Sequence, residues 1–183
     1  MIANLERRAA GRASGTDTTI EGLAVPFDAP SHDLGGFVEV FAPEAVDRTL
    51  AEQVDVRALV DHDPGKVIGR VKAGTLRLRK ASDGLRVEIT PPNTTLGRDI
   101  LELVRRGDVS GMSIGFYVMP GGERFETRGE QTVRVITDAR IIEASIVSWP
   151  AYESTDATVA QRSLQAFRAV QGQRIAWLRM QIE

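Results

Sequence analysis

Cysteine is missing from all 183 residues. Its absence excludes disulfide staples, thiolate metal sites and a cysteine nucleophile. No apolar run approaches the roughly 18 residues that a membrane-spanning helix needs. The opening Met1-Ile2-Ala3-Asn4-Leu5-Glu6-Arg7-Arg8 lacks the apolar stretch of a secretory signal. Neither sign of charge is in excess: 23 Lys and Arg against 25 Asp and Glu leave a formal net charge of −2. Proteins held by phosphate contacts usually carry a basic surplus. Neither nucleic acid nor a membrane is therefore expected as a partner. Internal repeats and low-complexity blocks are also absent. What is present, 42% hydrophobic and 26% charged residues, suits one intracellular globular domain.

Residues 7–17, RRAAGRASGTD, are small, polar and rich in glycine and arginine. Residues 1–17 are accordingly expected to form a flexible leader. From residue 18 to 152 the texture is that of a β domain. Thr19–Phe27 and Phe37–Phe41 read as strands, and Pro43–Leu50 as a short helix with proline in its first turn. Val56–Val60 leads into the turn sequence Asp61-His62-Asp63-Pro64-Gly65, and Lys66–Val71 reads as the next strand. Leu76–Arg79 and Leu85–Ile89 alternate around Ser82-Asp83-Gly84, a hairpin. Leu96, Ile100, Leu103 and Val104 form one helical stripe, closed by Arg105, Arg106 and Gly107. Strands are expected over Gly111–Met119 and Thr132–Trp149, with a mobile loop from Pro120 to Gln131 between them.

Residues 153–183 form a C-terminal helical segment. Its apolar positions Leu164, Phe167, Ile175, Leu178 and Ile182 suit one face of a long helix, and the interruption at Gln171-Gly172 leaves both one helix and two open. Three uses are open to that face: packing on the rest of the domain, a homodimer contact, or a tether to another protein. Many short strands with few helices predict a mainly β (α+β) fold, a closed or nearly closed barrel flanked by helices.

Histidine occurs only at positions 32 and 62. His32 lies in Pro30-Ser31-His32-Asp33-Leu34-Gly35-Gly36, a solvated loop composition. His62 ends the apolar strand Ala58-Leu59-Val60, where a rigid sheet can hold a functional group still. Asp61-His62-Asp63 also supplies metal-ligand types. Adjacent strand residues point to opposite faces, however, so the three converge only through a sharp turn. In Gly111-Met112-Ser113-Ile114-Gly115-Phe116, strand alternation puts Met112, Ile114 and Phe116 on one face and Ser113 on the other, between two glycines. A serine hydroxyl is a weak nucleophile and needs an adjacent base, which in turn needs an orienting group. Glu143, alone within Ile141-Ile142-Glu143-Ala144-Ser145-Ile146-Val147, is a carboxylate that requires a partner. That partner is either His62 or an arginine such as Arg134 or Arg140. Asp61 and Asp63 compete with Glu143 for the orienting role.

Several segments, in order, resemble the tailed-phage prohead (capsid maturation) serine protease family. They are Ile20-Glu21-Gly22-Leu23-Ala24-Val25-Pro26-Phe27, Glu39-Val40-Phe41-Ala42-Pro43-Glu44-Ala45, Leu59-Val60-Asp61-His62-Asp63 with Ile68-Gly69, and Asp83-Gly84-Leu85-Arg86-Val87. The last are the Ser113 and Glu143 segments above, with Pro150-Ala151 after them. That family is related in fold to the herpesvirus maturation protease, assemblin. The resemblance implies an antiparallel β-barrel of the herpesvirus-protease type, ringed by helices, as the protease domain over residues 18–152. It implies a serine endopeptidase with His62, Ser113 and Glu143 as catalytic residues and no cofactor or metal. The herpesvirus relatives place a second histidine where Glu143 stands. The implied substrates are scaffold protein or the scaffolding segment of the major capsid protein, and the protease itself. The implied location is the host cytoplasm, inside the immature phage capsid. Two alternatives keep the sequence but change the role: a non-catalytic scaffold-binding or capsid-assembly module of the same fold, and a metal-dependent hydrolase built on Asp61-His62-Asp63.

Overall fold

Period-two alternation over most of the chain becomes two sheets in the computed structural model, which describes residues 4–148 and 157–180. The larger sheet contains β1 (Glu6–Gly15), β2 (Ile20–Pro26), β4 (Arg57–Val60), β5 (Asp63–Arg70), β6 (Leu76–Ala81), β7 (Gly84–Ile89), β8 (Gly111–Val118) and β11 (Ala139–Val147). Their spatial order is β5-β4-β11-β8-β1-β2-β7-β6. The smaller sheet contains β3 (Val38–Phe41), β9 (Glu123–Arg128) and β10 (Gln131–Ile136), in the order β3-β10-β9. The larger sheet curls into a nearly closed barrel. Its edges approach where β5 turns into β6, with Thr75 N donating to Arg70 O at 3.2 Å. The expected barrel is present, with one refinement. The β4–β11 and β3–β10 pairs are parallel, and the other strand pairs are antiparallel.

Alternation decides what fills the barrel. Ala58 and Val60, Met112, Ile114 and Phe116, and Ala144 and Ile146 point inward with Ile20, Leu85, Val87 and Ile89. Each large apolar side chain so buried contributes about 1.5–3 kcal/mol. Helix α2 (Thr95–Arg106) adds Ile100 and Val104 to this core. Thr94 Oγ1 caps it by accepting from Gly97 N at 3.2 Å, and Gly107 ends it in the left-handed conformation at φ 82°. The stripe is narrower than expected, because Leu103 is left 38% exposed. A single 3₁₀ turn at Pro43–Val46 and helix α1 (Asp47–Ala51) form the expected short helix. Thr49 Oγ1 ties α1 to β11, donating to Ala139 O (3.1 Å) and accepting from Ile141 N (3.0 Å).

Three expectations need correction. The segment read as a flexible leader is β1, a central strand between β8 and β2. Its alternation is hidden because its inward positions Glu6 and Arg8 are charged. Further along, Gly11 sits against the Leu23 carbonyl, where no side chain fits. Second, the polar stretch after Pro120 contains β9, an edge strand whose outward Arg124 and Arg128 carry the charge that such edges tolerate. Third, the stretch from Thr132 is two strands, β10 and β11, separated at Thr137-Asp138 and belonging to different sheets. Of the two readings open for the C-terminal segment, the single helix is the one present: α3 (Ala157–Met180) runs unbroken through Gln171-Gly172. A glycine costs a helix about 1 kcal/mol relative to alanine, too little to split one flanked by good helix formers.

Helix α3 docks on the smaller sheet. Ala160 and Leu164 cover Phe37, and Phe167 stacks on Phe125 at 5.4 Å between ring centroids. The side chains of Ile175 and Leu178, and residues Trp149, Pro150, Ala151 and Ile182, lie outside the described residues. Between the sheets is a buried ion cluster. Arg134 Nη1 donates to Glu6 Oε2 (2.7 Å) and Glu39 Oε2 (2.6 Å), and its Nε donates to Glu123 Oε2 (2.5 Å). Arg8 joins through Glu6 Oε2 (2.8 Å) and an ion pair with Glu39 Oε1 at 2.8 Å that lacks hydrogen-bond alignment. Although burial alone would lower it, these carboxylates hold the Arg134 guanidinium above its ordinary range.

Candidate active site

The β4–β5 connection is a two-residue hairpin turn, Asp61-His62, and both residues adopt positive φ, 48° and 58°. The left-handed conformation costs a non-glycine residue about 1–2 kcal/mol, so the turn needs anchoring. Asp61 supplies it: its N donates to Ile146 O (2.9 Å), and its Oδ1 accepts from Ser148 N (2.9 Å). Asp63 Oδ1 accepts from Gly65 N (2.8 Å) and its carboxylate pairs with Lys66 (3.4 Å). Both aspartates are thus engaged away from the imidazole. Among the described residues, no His, Asp and Glu cluster has metal-holding geometry.

The carboxylate at His62 is Glu143. His62 Nδ1 lies 2.8 Å from Glu143 Oε1. A β-bulge makes this contact. Ile141 pairs with Phe116 and points into the core, and strict alternation would send Glu143 inward as well. The register shift between Ile141 and Glu143 places Glu143 opposite Gly115, on the outer wall. Gly115 is needed there, because a Cβ would stand 2.5 Å from both Cγ and Oε1 of Glu143. Glu143 Oε2 accepts from Ser145 Oγ (2.7 Å), and Oε1 also accepts from Arg7 Nε (3.3 Å). Burial pushes the Glu143 carboxyl upward, but the hydrogen bonds from His62 and Ser145, with help from Arg7, outweigh it and hold the group below the usual carboxylate range.

Ser113 is on the same wall. It pairs with Ser145 of β11 on one side and Ala9 of β1 on the other, and directly opposed residues share a face. Its inward neighbours Met112 and Ile114 are in the core, as alternation predicts. Ser113 is fully buried at 0% exposure, and its Oγ has no hydrogen-bond partner among the described residues. The structure therefore joins His62 to Glu143 directly. It sets Ser113 across from the serine that holds that acid, without a hydrogen bond from Ser113 to His62. His32 is an exposed loop residue, as expected.

The arginine at Glu143 is neither Arg134, which belongs to the buried ion cluster, nor Arg140, which is exposed. It is Arg7. The sequence hides it because β1 lacks the apolar alternation that marks a strand. Ser145 carried a usable signal: two residues beyond Glu143 on one strand, it must share its face.

A solved structure with a similar fold is that of the capsid assembly protease of bacteriophage T4, gp21. It is 9% identical, with a TM-score of 0.58, over 82% of this chain and 100% of that chain. No curated protein matches. The family model described as caudovirus prohead serine protease matches residues 3–169. That range takes in both walls of the site, from the strand carrying Arg7 to the strand carrying Glu143, and the docked part of α3. The chain belongs to the caudovirus prohead serine protease family.

Proposed function

We propose that the chain is a serine endopeptidase in which Ser113 is the nucleophile, His62 the general base and Glu143 the group that orients the imidazole. The reading is carried by the 2.8 Å contact between His62 Nδ1 and Glu143 Oε1 on the wall that holds Ser113. A carboxylate accepting from Nδ1–H fixes the tautomer and leaves Nε2 free to take a proton. Ser113 Oγ adds to the scissile carbonyl carbon as its proton passes to His62 Nε2. The tetrahedral adduct collapses, the C–N bond breaks, and the same proton goes to the leaving amine. Water then attacks the acyl-enzyme with His62 again as base, releasing the acid and restoring Ser113. A positioned base of this kind is worth about 10²–10⁴ in rate. Because Ser113 has no exposed surface, a peptide reaches Oγ only after neighbouring side chains move. Family membership supports action inside the prohead, on scaffold protein or the scaffolding segment of the major capsid protein, and on the protease itself.

The test is co-expression with the capsid gene of the same phage, read by intact mass. Wild type is expected to shorten the capsid or scaffold chain and itself, whereas Ser113→Ala and His62→Ala leave both at full length. Processing that persists in Ser113→Ala would end the proposal. Absence of processing in wild type, with no fluorophosphonate labelling of Ser113, would favour a non-catalytic assembly module.

A further inference from the structure

We infer that Ser145 and Arg7 are positioning residues that fix the Glu143 carboxylate for His62, so the site draws on the first strand of the chain as well as on the strands that carry Ser113 and Glu143. This rests on the catalytic reading above. The two oxygens of Glu143 have separate duties. Oε2 accepts from the fully buried Ser145 hydroxyl at 2.7 Å, and Oε1 accepts from His62 and from Arg7 Nε at 3.3 Å. A carboxylate held through one oxygen pivots about that contact; held through both, its plane is set. Ser145 Oγ has Glu143 as its hydrogen-bond partner and lies directly opposite Ser113. A hydroxyl whose proton is committed to the acid is thereby distinguished from Ser113, whose Oγ is unpartnered among the described residues. Arg7 reaches the acid because β1 runs beside β8, with Arg7 opposite the side-chain-free Gly115. Its guanidinium is 40% exposed and its contact is longer, so its share is the smaller.

The chain has only two histidines, which makes the test direct. ¹⁵N-histidine labelling gives two imidazoles, and the His62→Ala spectrum identifies the exposed His32. In wild type, His62 is expected as the Nδ1–H tautomer. Ser145→Ala, with Ser145→Cys as a volume-preserving second variant, is expected to reduce that tautomer's share and to slow fluorophosphonate labelling of Ser113. The loss of one hydrogen bond to a charged group corresponds to about 10–10²-fold. Arg7→Gln is expected to do the same to a lesser degree. In a Glu143→Gln background, neither substitution should change tautomer or rate further, because both act through that carboxylate. A residue that merely supports the fold would add its full effect in that background, and such additivity would overturn the inference. So would an unchanged His62 spectrum in Ser145→Ala. The spectra report on this arrangement even if Ser113 proves not to be the nucleophile, whereas labelling that survives His62→Ala counts against the catalytic reading alone.

Discussion

Replacing Gly115 by alanine is the sharpest single perturbation of the site. The added Cβ stands 2.5 Å from both Cγ and Oε1 of Glu143 and 2.9 Å from Cδ. Nonbonded carbon contacts settle near about 3.5–4.0 Å, so something must retreat by about 1 Å. Strand β8 cannot, since Gly115 is paired on both sides, to Arg7 and to Glu143. The acid must move, and its contact with His62, now 2.8 Å, opens beyond the roughly 3.2 Å limit of a good hydrogen bond. A displacement of that size in a catalytic array costs about 10²-fold in rate, rising to about 10⁴-fold if the histidine tautomer is lost. Stability should suffer much less. Overpacking costs about 1–3 kcal/mol, and removing a glycine from a strand returns about 0.5–1 kcal/mol. The melting temperature of a chain this size should then fall by only a few degrees, at about 2–4 °C per kcal/mol. The rate of fluorophosphonate labelling at Ser113, read by intact mass beside a thermal melt, measures both quantities. Labelling within about threefold of wild type in a folded Gly115→Ala protein would refute the reasoning that Gly115 exists to admit Glu143.

Three further outcomes are expected. Glu143→Gln should cut turnover by about 10²–10⁴-fold through loss of the Nδ1–H tautomer, measured by the same labelling; a wild-type rate would return the orienting role to Asp61 or Asp63. Arg134→Met should destabilise by about 3–5 kcal/mol, because it leaves Glu6 and Glu39 with Arg8 alone and takes from Glu123 its arginine partner within the cluster; a urea midpoint equal to wild type would show that the cluster is not held by its charge. Glu143 is held below its unfolded value, so its interactions stabilise the fold above the ordinary carboxylate range and are lost as pH falls through the lowered folded value. The urea midpoint of wild type should therefore fall relative to Glu143→Gln on acidification, and a constant or widening wild-type advantage would contradict the sign.

The residues proposed for the site carry more signal in the sequence than the strand beside them. His62 stood out as the one histidine at a strand end, and Ser113 by its place on the apolar-poor face of its strand between glycines. Glu143 stood out as a lone charge in an apolar run. What could not be read was the bulge that turns Glu143 outward, because one extra residue in a ladder leaves no mark on composition. The identity of its arginine was equally hidden. Strand β1 lacks the apolar alternation that reveals strands, since its inward side chains are charged and paired with partners more than 30 positions away. Arg7 is hidden along with the strand that carries it. Strand β9 escaped notice for a related reason: an edge strand with one aromatic has little apolar pattern to show. The hairpin of β6 and β7, with both faces regular and a two-residue turn, needed nothing beyond its own sequence.

The central position of β8, flanked by β1 on one side and by β11 on the other, has a consequence for timing during synthesis. Glu143 and Ser145 leave the ribosome some thirty residues after Ser113. Until they emerge, His62 has no acid to hold it and Ser113 has no wall on its second side. Under the proposed mechanism a nascent chain therefore lacks its orienting acid until β11 is made, and competence arrives only with that strand.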